Sequence, residues 1–258
     1  MSNIVEMKNI HKFFGAVHAL KGVNFNVRTG ESVGLVGDNG AGKSTLIKIL
    51  TGVIRADKGE IYYQGKKVQF KSPREARMAG IETIYQEDTL AEDLPVFRNM
   101  FLGRELVRRL GFINILDDNK MKIESKTFTE SIGLKLGSIE QRTRYCSGGE
   151  KAGIALARAL LFNAKLIIMD EPFRALSPVG VQETVNRISR LREKNKDLSI
   201  IFVTHNLYQA FLLVDRIVVL IRGEIVADLP KERTSIERVT EILARGAGVS
   251  GVRGEVGG

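Results

Sequence analysis

Three hydrophobic patterns follow one another along this 258-residue chain. Over residues 4–63 apolar and polar positions alternate, as in VNFNV at 23–27 and EIYYQ at 60–64, and glycines at 15, 22, 30 and 59 punctuate the runs. A period of two puts successive side chains on opposite faces, so this stretch predicts antiparallel strands. One short run inside it, SVGLV at 32–36, is apolar throughout and reads as a buried strand, with the packed helix face LIKIL at 46–50 close behind. From about 90 to 161 the spacing turns helical, with few β-branched runs and many charges, which predicts an inserted helical subdomain. Continuous apolar runs then return at 166–169 (LIIM) and 199–203 (SIIFV), as expected of parallel strands covered on both faces. Between them Val181, Val185, Ile188 and Leu191 keep helical spacing and supply the crossover that parallel strands require. Residues 217–221 and 224–227 flank Arg222-Gly223 and predict a terminal hairpin. The glycine-rich stretch 246–258 has no period and is expected to be disordered, leaving one α/β domain over 1–245.

Composition narrows the partners. With 43% hydrophobic and 27% charged residues the chain has ordinary globular content. It contains no run near the ~18 apolar residues of a membrane span, and MSNIVEMKN lacks the apolar core of a signal peptide. A cytosolic location is expected, and the lone Cys146 excludes an intramolecular disulfide. The net charge of +9 suits an anionic partner and leaves a nucleotide, an anionic inner leaflet and nucleic acid all open. Arg104, Arg108 and Arg109, at i, i+4 and i+5, read as a solvated helix face. Zinc-ligand spacing and aromatic-basic interleaving are both missing, so no nucleic-acid partner is expected.

The chemistry concentrates in three stretches. Residues 37–45, GDNGAGKST, fit the G-x-x-x-x-G-K-[ST] phosphate cradle and stand between the buried strand and the apolar helix. Glycines 37, 40 and 42 let the backbone turn N–H groups inward around Asp38, Asn39 and Ala41, and the helix N-terminus adds partial positive charge. Lys43 then reaches the β and γ phosphates, Ser44 offers its hydroxyl to Mg²⁺, and Thr45 contacts the α side. The second stretch, LIIMDEP at 166–172, places Asp170 and Glu171 where a buried strand emerges at the carboxyl edge of a sheet, which suits metal binding by Asp170 and proton acceptance from water by Glu171. The third, CSGGE at 146–150, sets Ser147 and Glu150 three apart with Gly148 and Gly149 between them. That is capping-box spacing, and it also admits close approach by an anion.

Together these stretches resemble the ATP-binding subunit of an ABC transporter. GDNGAGKS is similar to that family's Walker A motif, LIIMDEP to Walker B with its catalytic glutamate, and CSGGE to the LSGGQ signature, in the family's order and across most of residues 4–243. The resemblance implies a P-loop NTPase (RecA-like) core with an antiparallel β subdomain and an inserted α-helical subdomain. It implies ATP and Mg²⁺ as ligands, and a homodimer in which Ser147, Gly148, Gly149 and Glu150 of one copy close over the phosphates held by the other. By position, Gln86 matches the glutamine that senses metal and attacking water, His205 the switch histidine, and Phe14 the aromatic that stacks on adenine, with Phe13 expected in the core. Glu171, His205, Gln86 and Lys43 are then the catalytic set, and Ser44, Gln86 and Asp170 the metal set. The segments 70–86 and 99–105 are similar to carbohydrate importers of the ribose, xylose and fructose group. This implies work at the inner face of the membrane with transmembrane permease subunits and, indirectly, an external sugar-binding protein.

Departures from the pattern accompany it. Cys146 and Glu150 replace the signature leucine and glutamine, Phe173 and Arg174 replace small residues, and Ser177 stands where many relatives have an aspartate. Phe173, Arg174 and Ser177 are expected where two copies meet. Two other readings stay open on sequence: a soluble ABC ATPase acting on nucleic acid or ribosomes, and a non-hydrolysing regulatory cassette.

Overall fold

The protein is described by a computed structural model over residues 2–84, 90–173 and 176–246. Its elements run in chain order as β1 (Asn3–Phe14), β2 (Val17–Arg28), β3 (Ser32–Val36), α1 (Lys43–Leu50), β4 (Lys58–Tyr63), β5 (Lys66–Val68) and α2 (Pro73–Met78). There follow β6 (Ile81–Ile84), α3 (Val96–Met100), β7 (Val107–Leu110), β8 (Ile113–Leu116), α4 (Asp118–Ser131), α5 (Gly148–Leu161), β9 (Leu166–Asp170) and α6 (Pro178–Lys194). The chain ends with β10 (Ser199–Thr204), α7 (Leu207–Leu213), β11 (Arg216–Ile221), β12 (Glu224–Pro230) and α8 (Ile236–Gly246). Among the described residues, those in 2–75 and 201–246 form one compact unit, and those in 76–200 a second.

In the first unit the alternating N-terminal strands build an antiparallel sheet in the order β2-β1-β4-β5. The half-covered faces read from the sequence are visible in β1, where Ile4, Val5, Met7 and Ile10 are buried between partly exposed neighbours. The continuous apolar runs behave differently. Every residue of β3, β10 and β11 is buried, and β3 and β11 pair in parallel, Val33 opposite Arg216 and Val36 opposite Val219. Arg216 is the charged member of that layer, and it is compensated: its guanidinium donates to Glu31 at 2.7 Å and to both carboxylate oxygens of Asp228 at 2.8 and 2.7 Å. A buried charge persists only when paired and hydrogen-bonded in this way. β12 joins β11 through Arg222 and Gly223, whose φ values of 47° and 83° give the left-handed pair of a type I′ turn.

In the second unit β6 and β9 pair in parallel, Ile81 opposite Leu166 and Ile84 opposite Met169. Around α3, α4 and α5 a separate apolar cluster forms from Val96, Phe97, Met100, Phe101, Met121, Leu134, Ile154 and neighbours. Within this predominantly helical stretch lies an element the spacing did not predict. β7 and β8 form an antiparallel hairpin, Leu110 opposite Ile113, with a two-residue turn that places Gly111 first at φ 63°, the Gly-X order of a type II′ turn. Arg108 and Arg109 therefore sit on a strand rather than on a helix face, and Arg104 precedes it in an ion pair with Glu82. Three arginines at i, i+4 and i+5 fit a helix numerically. The β-branched Val107, Ile113 and Ile115 around a glycine turn carry the stronger local preference. Among the described residues no helix is long and apolar enough to cross a membrane.

Candidate functional site

The loop 37–42 runs from the fully buried β3 into α1. Gly42 stands at the helix N-cap at φ 109°, ψ 1°, and a Cβ there would lie 2.8 Å from Leu20 Cδ2 and 3.0 Å from the Ala19 carbonyl. At Gly37 a Cβ would approach the Leu220 carbonyl to 2.2 Å. The backbone path is thus open only to glycine at both ends. The loop is braced from far away in sequence: Gly223 N–H donates to the Ala41 carbonyl at 2.9 Å, and Lys21 N–H donates to the Gly223 carbonyl at 2.9 Å. Lys43 is 7% exposed, and its Nζ donates to the carbonyls of Gly37 at 2.6 Å and Asp38 at 3.0 Å. An ammonium is thereby held against the inside of the loop, at the start of a helix whose first N–H groups lack intrahelical acceptors. Asp38, Asn39, Gly40 and Ser44 are exposed along the rim, Thr45 is half-buried, and Ala41 is buried beneath. Such a concavity of amides around one cation is built for an anion with several oxygens.

Two further residues expected at this site belong to the same unit. Phe14 ends β1 with 49% of its surface exposed, and Lys12 Nζ lies 5.6 Å from its ring centre. Phe13 is not a core residue: it is 42% exposed and stacks on His18, ring centres 4.0 Å apart and planes at 11°. The end of β1 is tied down through its backbone, Phe13 N–H donating to the Asp57 carboxylate at 2.6 Å, while both phenylalanine rings stay exposed. His205 follows β10 directly and is exposed, while the next residue, Asn206, caps α7 by accepting from Gln209 N–H at 3.2 Å.

The second unit carries the remaining candidates. Asp170 ends β9 and Glu171 follows it, both half-buried. Glu171 has φ 50°, a left-handed backbone that costs a residue with a Cβ about 1–3 kcal/mol and clusters at functional positions. Nothing in the local pattern announced it. Ser147 and Glu150 form a reciprocal capping box at the start of α5: Glu150 N–H donates to Ser147 Oγ at 3.2 Å, and Ser147 N–H donates to the Glu150 carboxylate at 2.7 Å. The added carboxylate is thus spent on its own backbone, and Gly148 remains exposed beside it. Cys146, at the signature leucine position, is buried in the apolar cluster, where burial pushes its thiol pKa up and Gln141 Nε2 donates to Sγ at 3.1 Å. It serves as a small hydrophobic residue.

Of the residues expected where two copies meet, Phe173 is 2% exposed within this one chain, so it is interior packing and offers no surface. A phenylalanine following a half-buried strand end gains more by burial than by exposure. Ser177 caps α6, its Oγ accepting from Gly180 N–H at 3.2 Å. Gln86 and Arg174 lie outside the described residues.

Residues 20–174 match the family model described as ABC transporter. The chain belongs to that family. It is 44% identical over 243 residues to the xylose/arabinose import ATP-binding protein of Sulfolobus acidocaldarius, covering 94% of each chain. It is 39% identical to the fructose import ATP-binding protein of Rhizobium meliloti over 83% of each. With the ribose import ATP-binding protein of Bacillus subtilis it shares 38% identity over 92% of this chain but only 47% of that protein, so the cassette spans about half of its ribose-type relative. Its fold is similar to a nucleotide-free ATP-binding cassette from an ABC transporter, with TM-score 0.77 and 26% identity over 94% of this chain and 96% of that one. A dimeric ATP-binding cassette solved with ADP and Pi matches at TM-score 0.72 and 25% identity, over 88% and 98% of the two chains.

Proposed function

We propose that this ABC cassette is the ATP-hydrolysing subunit of a carbohydrate importer, acting on a transmembrane permease at the inner face of the membrane. The observation that carries the proposal is the end-to-end similarity to a xylose/arabinose import ATP-binding protein, over 94% of both chains. The glycine cradle around Lys43 agrees with it. In this reading Lys43 and the amides of residues 37–45 hold the β and γ phosphates of ATP, and Phe14 stacks on adenine. Glu171 accepts a proton from the attacking water while His205 and Gln86 orient that water. The oxygen bonds to the γ-phosphorus as the bond to the ADP oxygen breaks.

The oxygen donors of Ser44 and Asp170 fit Mg²⁺, with Gln86 the third expected ligand. Among the described residues no group of three His, Cys, Asp or Glu side chains converges as a metal site, so phosphate oxygens and water would complete the ion's shell. When bound, Mg²⁺ neutralises charge on the β and γ phosphates. A second copy supplies Ser147, Gly148 and Gly149 to the same phosphates, and Glu150 stays engaged with the Ser147 amide. An external sugar-binding protein would select the cargo.

The test is Glu171→Gln in the full chain. ATP should bind with unchanged affinity while steady-state phosphate release falls at least about 100-fold, the scale of a lost general base. Undiminished release would remove Glu171 from that role.

A further inference from the structure

The hairpin of β7 and β8 has no use in the reaction above, yet it is the most exposed apolar element of the second unit. Phe112 at its turn is fully exposed, Leu110 and Ile113 are each about two-thirds exposed, and Val107 and Leu116 are also exposed. Cross-strand pairing fixes their arrangement. Val107 faces Leu116 and Arg109 faces Asn114 on one side; Arg108 faces Ile115 and Leu110 faces Ile113 on the other. Apolar side chains therefore line both faces, the tip itself is purely apolar, and the two arginines sit one or two rungs below it. Residues 107–116 contain no acidic residue. Arg108 and Arg109 form no ion pair with any described residue, whereas Arg104 just before them is paired with Glu82.

A two-stranded ribbon with both edges unpaired is marginally stable in water, so exposing five large apolar residues on one is costly unless something covers them. The distribution indicates what does. Arg108 and Arg109 stand behind the apolar tip, and no acidic residue within 107–116 offsets their charge, which is complementary to anionic headgroups over an apolar layer. A surface apolar in every direction beneath an anionic layer suits a tip that is hydrophobic on both sides with cations behind it. We infer that this hairpin inserts its Leu110-Gly111-Phe112-Ile113 tip into an anionic lipid surface, with Arg108 and Arg109 engaging the lipid phosphates. It would tether the cassette to the bilayer independently of any permease.

The chain contains no tryptophan, so Phe112→Trp in this 258-residue chain provides a single fluorescent reporter at the tip. With vesicles of phosphatidylcholine and phosphatidylglycerol, its emission should shift to the blue and be quenched by brominated acyl chains. Arg108→Ala with Arg109→Ala in the same background should weaken vesicle binding by about 30-fold, the combined effect of two basic residues at an anionic surface. Raising salt to ~1 M, where charges are screened beyond ~3 Å, should weaken it likewise. An unshifted, unquenched emission with anionic vesicles would overturn the inference. So would a blue shift that appears only with a detergent-solubilised permease, which would make the hairpin's partner a protein. Leu110→Ser with Ile113→Ser serves as the second variant: its thermal midpoint should stay unchanged while vesicle binding is lost, and retained binding would count against the tip.

Discussion

Removing the Lys43 ammonium probes the cradle where its geometry is best defined. The group is nearly buried and holds two loop carbonyls at 2.6 and 3.0 Å, so a polyphosphate arriving there gains a desolvated, charge-assisted contact. Truncating one partner of such a pair costs about 2–5 kcal/mol, and 2.8 kcal/mol is a 100-fold loss of affinity. Thermal unfolding reads the difference. At a nucleotide concentration ~100 times its Kd the native chain should gain about 2.7 kcal/mol, or about 5–10 °C in midpoint for a protein of this size. Lys43→Ala at the same concentration should gain only about 0.4 kcal/mol, or 1–2 °C. Each variant is compared with its own nucleotide-free midpoint, so any intrinsic cost of losing the two carbonyl contacts cancels. An equal nucleotide-induced shift in both proteins would refute the assignment of this loop as the phosphate site.

Gly153 lies inside α5, where alanine would favour the helix by about 1 kcal/mol, but its Cβ would come 2.4 Å from Leu134 Cδ1 inside the packed cluster, and overpacking costs about 1–3 kcal/mol. Gly153→Ala should therefore lower the thermal midpoint by a few degrees; a raised midpoint would show that Leu134 has room to move. Glu82 is buried, and burial raises its carboxyl pKa above the ordinary 4.5 despite the nearby Arg104, Arg77 and Arg158. A raised folded-state pKa contributes stability that is complete below 4.5 and is lost as pH climbs through the elevated value. Denaturant titrations across that window should show a falling contribution in the native chain that Glu82→Gln removes, and parallel curves for the two proteins would contradict it.

Much of this molecule was legible in the residues because its strongest signals are local. A phosphate cradle needs glycines, a lysine and a helix start within nine positions. Buried parallel strands must be apolar throughout, so SVGLV, LIIM and SIIFV stood out from half-covered neighbours. The reciprocal cap of Ser147 and Glu150 followed from their spacing alone. What stayed hidden depends on distance or on competing periods. The hairpin at 107–116 shared its arginine spacing with a helix. The burial of Phe173 depends on packing that no adjacent residue encodes. The bracing of Ala41 by Gly223 spans some 180 positions, and the left-handed turn at Glu171 is imposed on a residue that does not favour it.

In the importer proposed above, ATP hydrolysis by this chain drives sugar across a membrane. The most direct test of this coupling is uptake of labelled pentoses and hexoses into proteoliposomes holding the partner permease, with sugar-binding protein outside and this cassette with ATP and Mg²⁺ inside. ATP-dependent accumulation of one sugar, abolished by Glu171→Gln, is the predicted result. Hydrolysis that ignores permease and sugar but rises with added nucleic acid would contradict it.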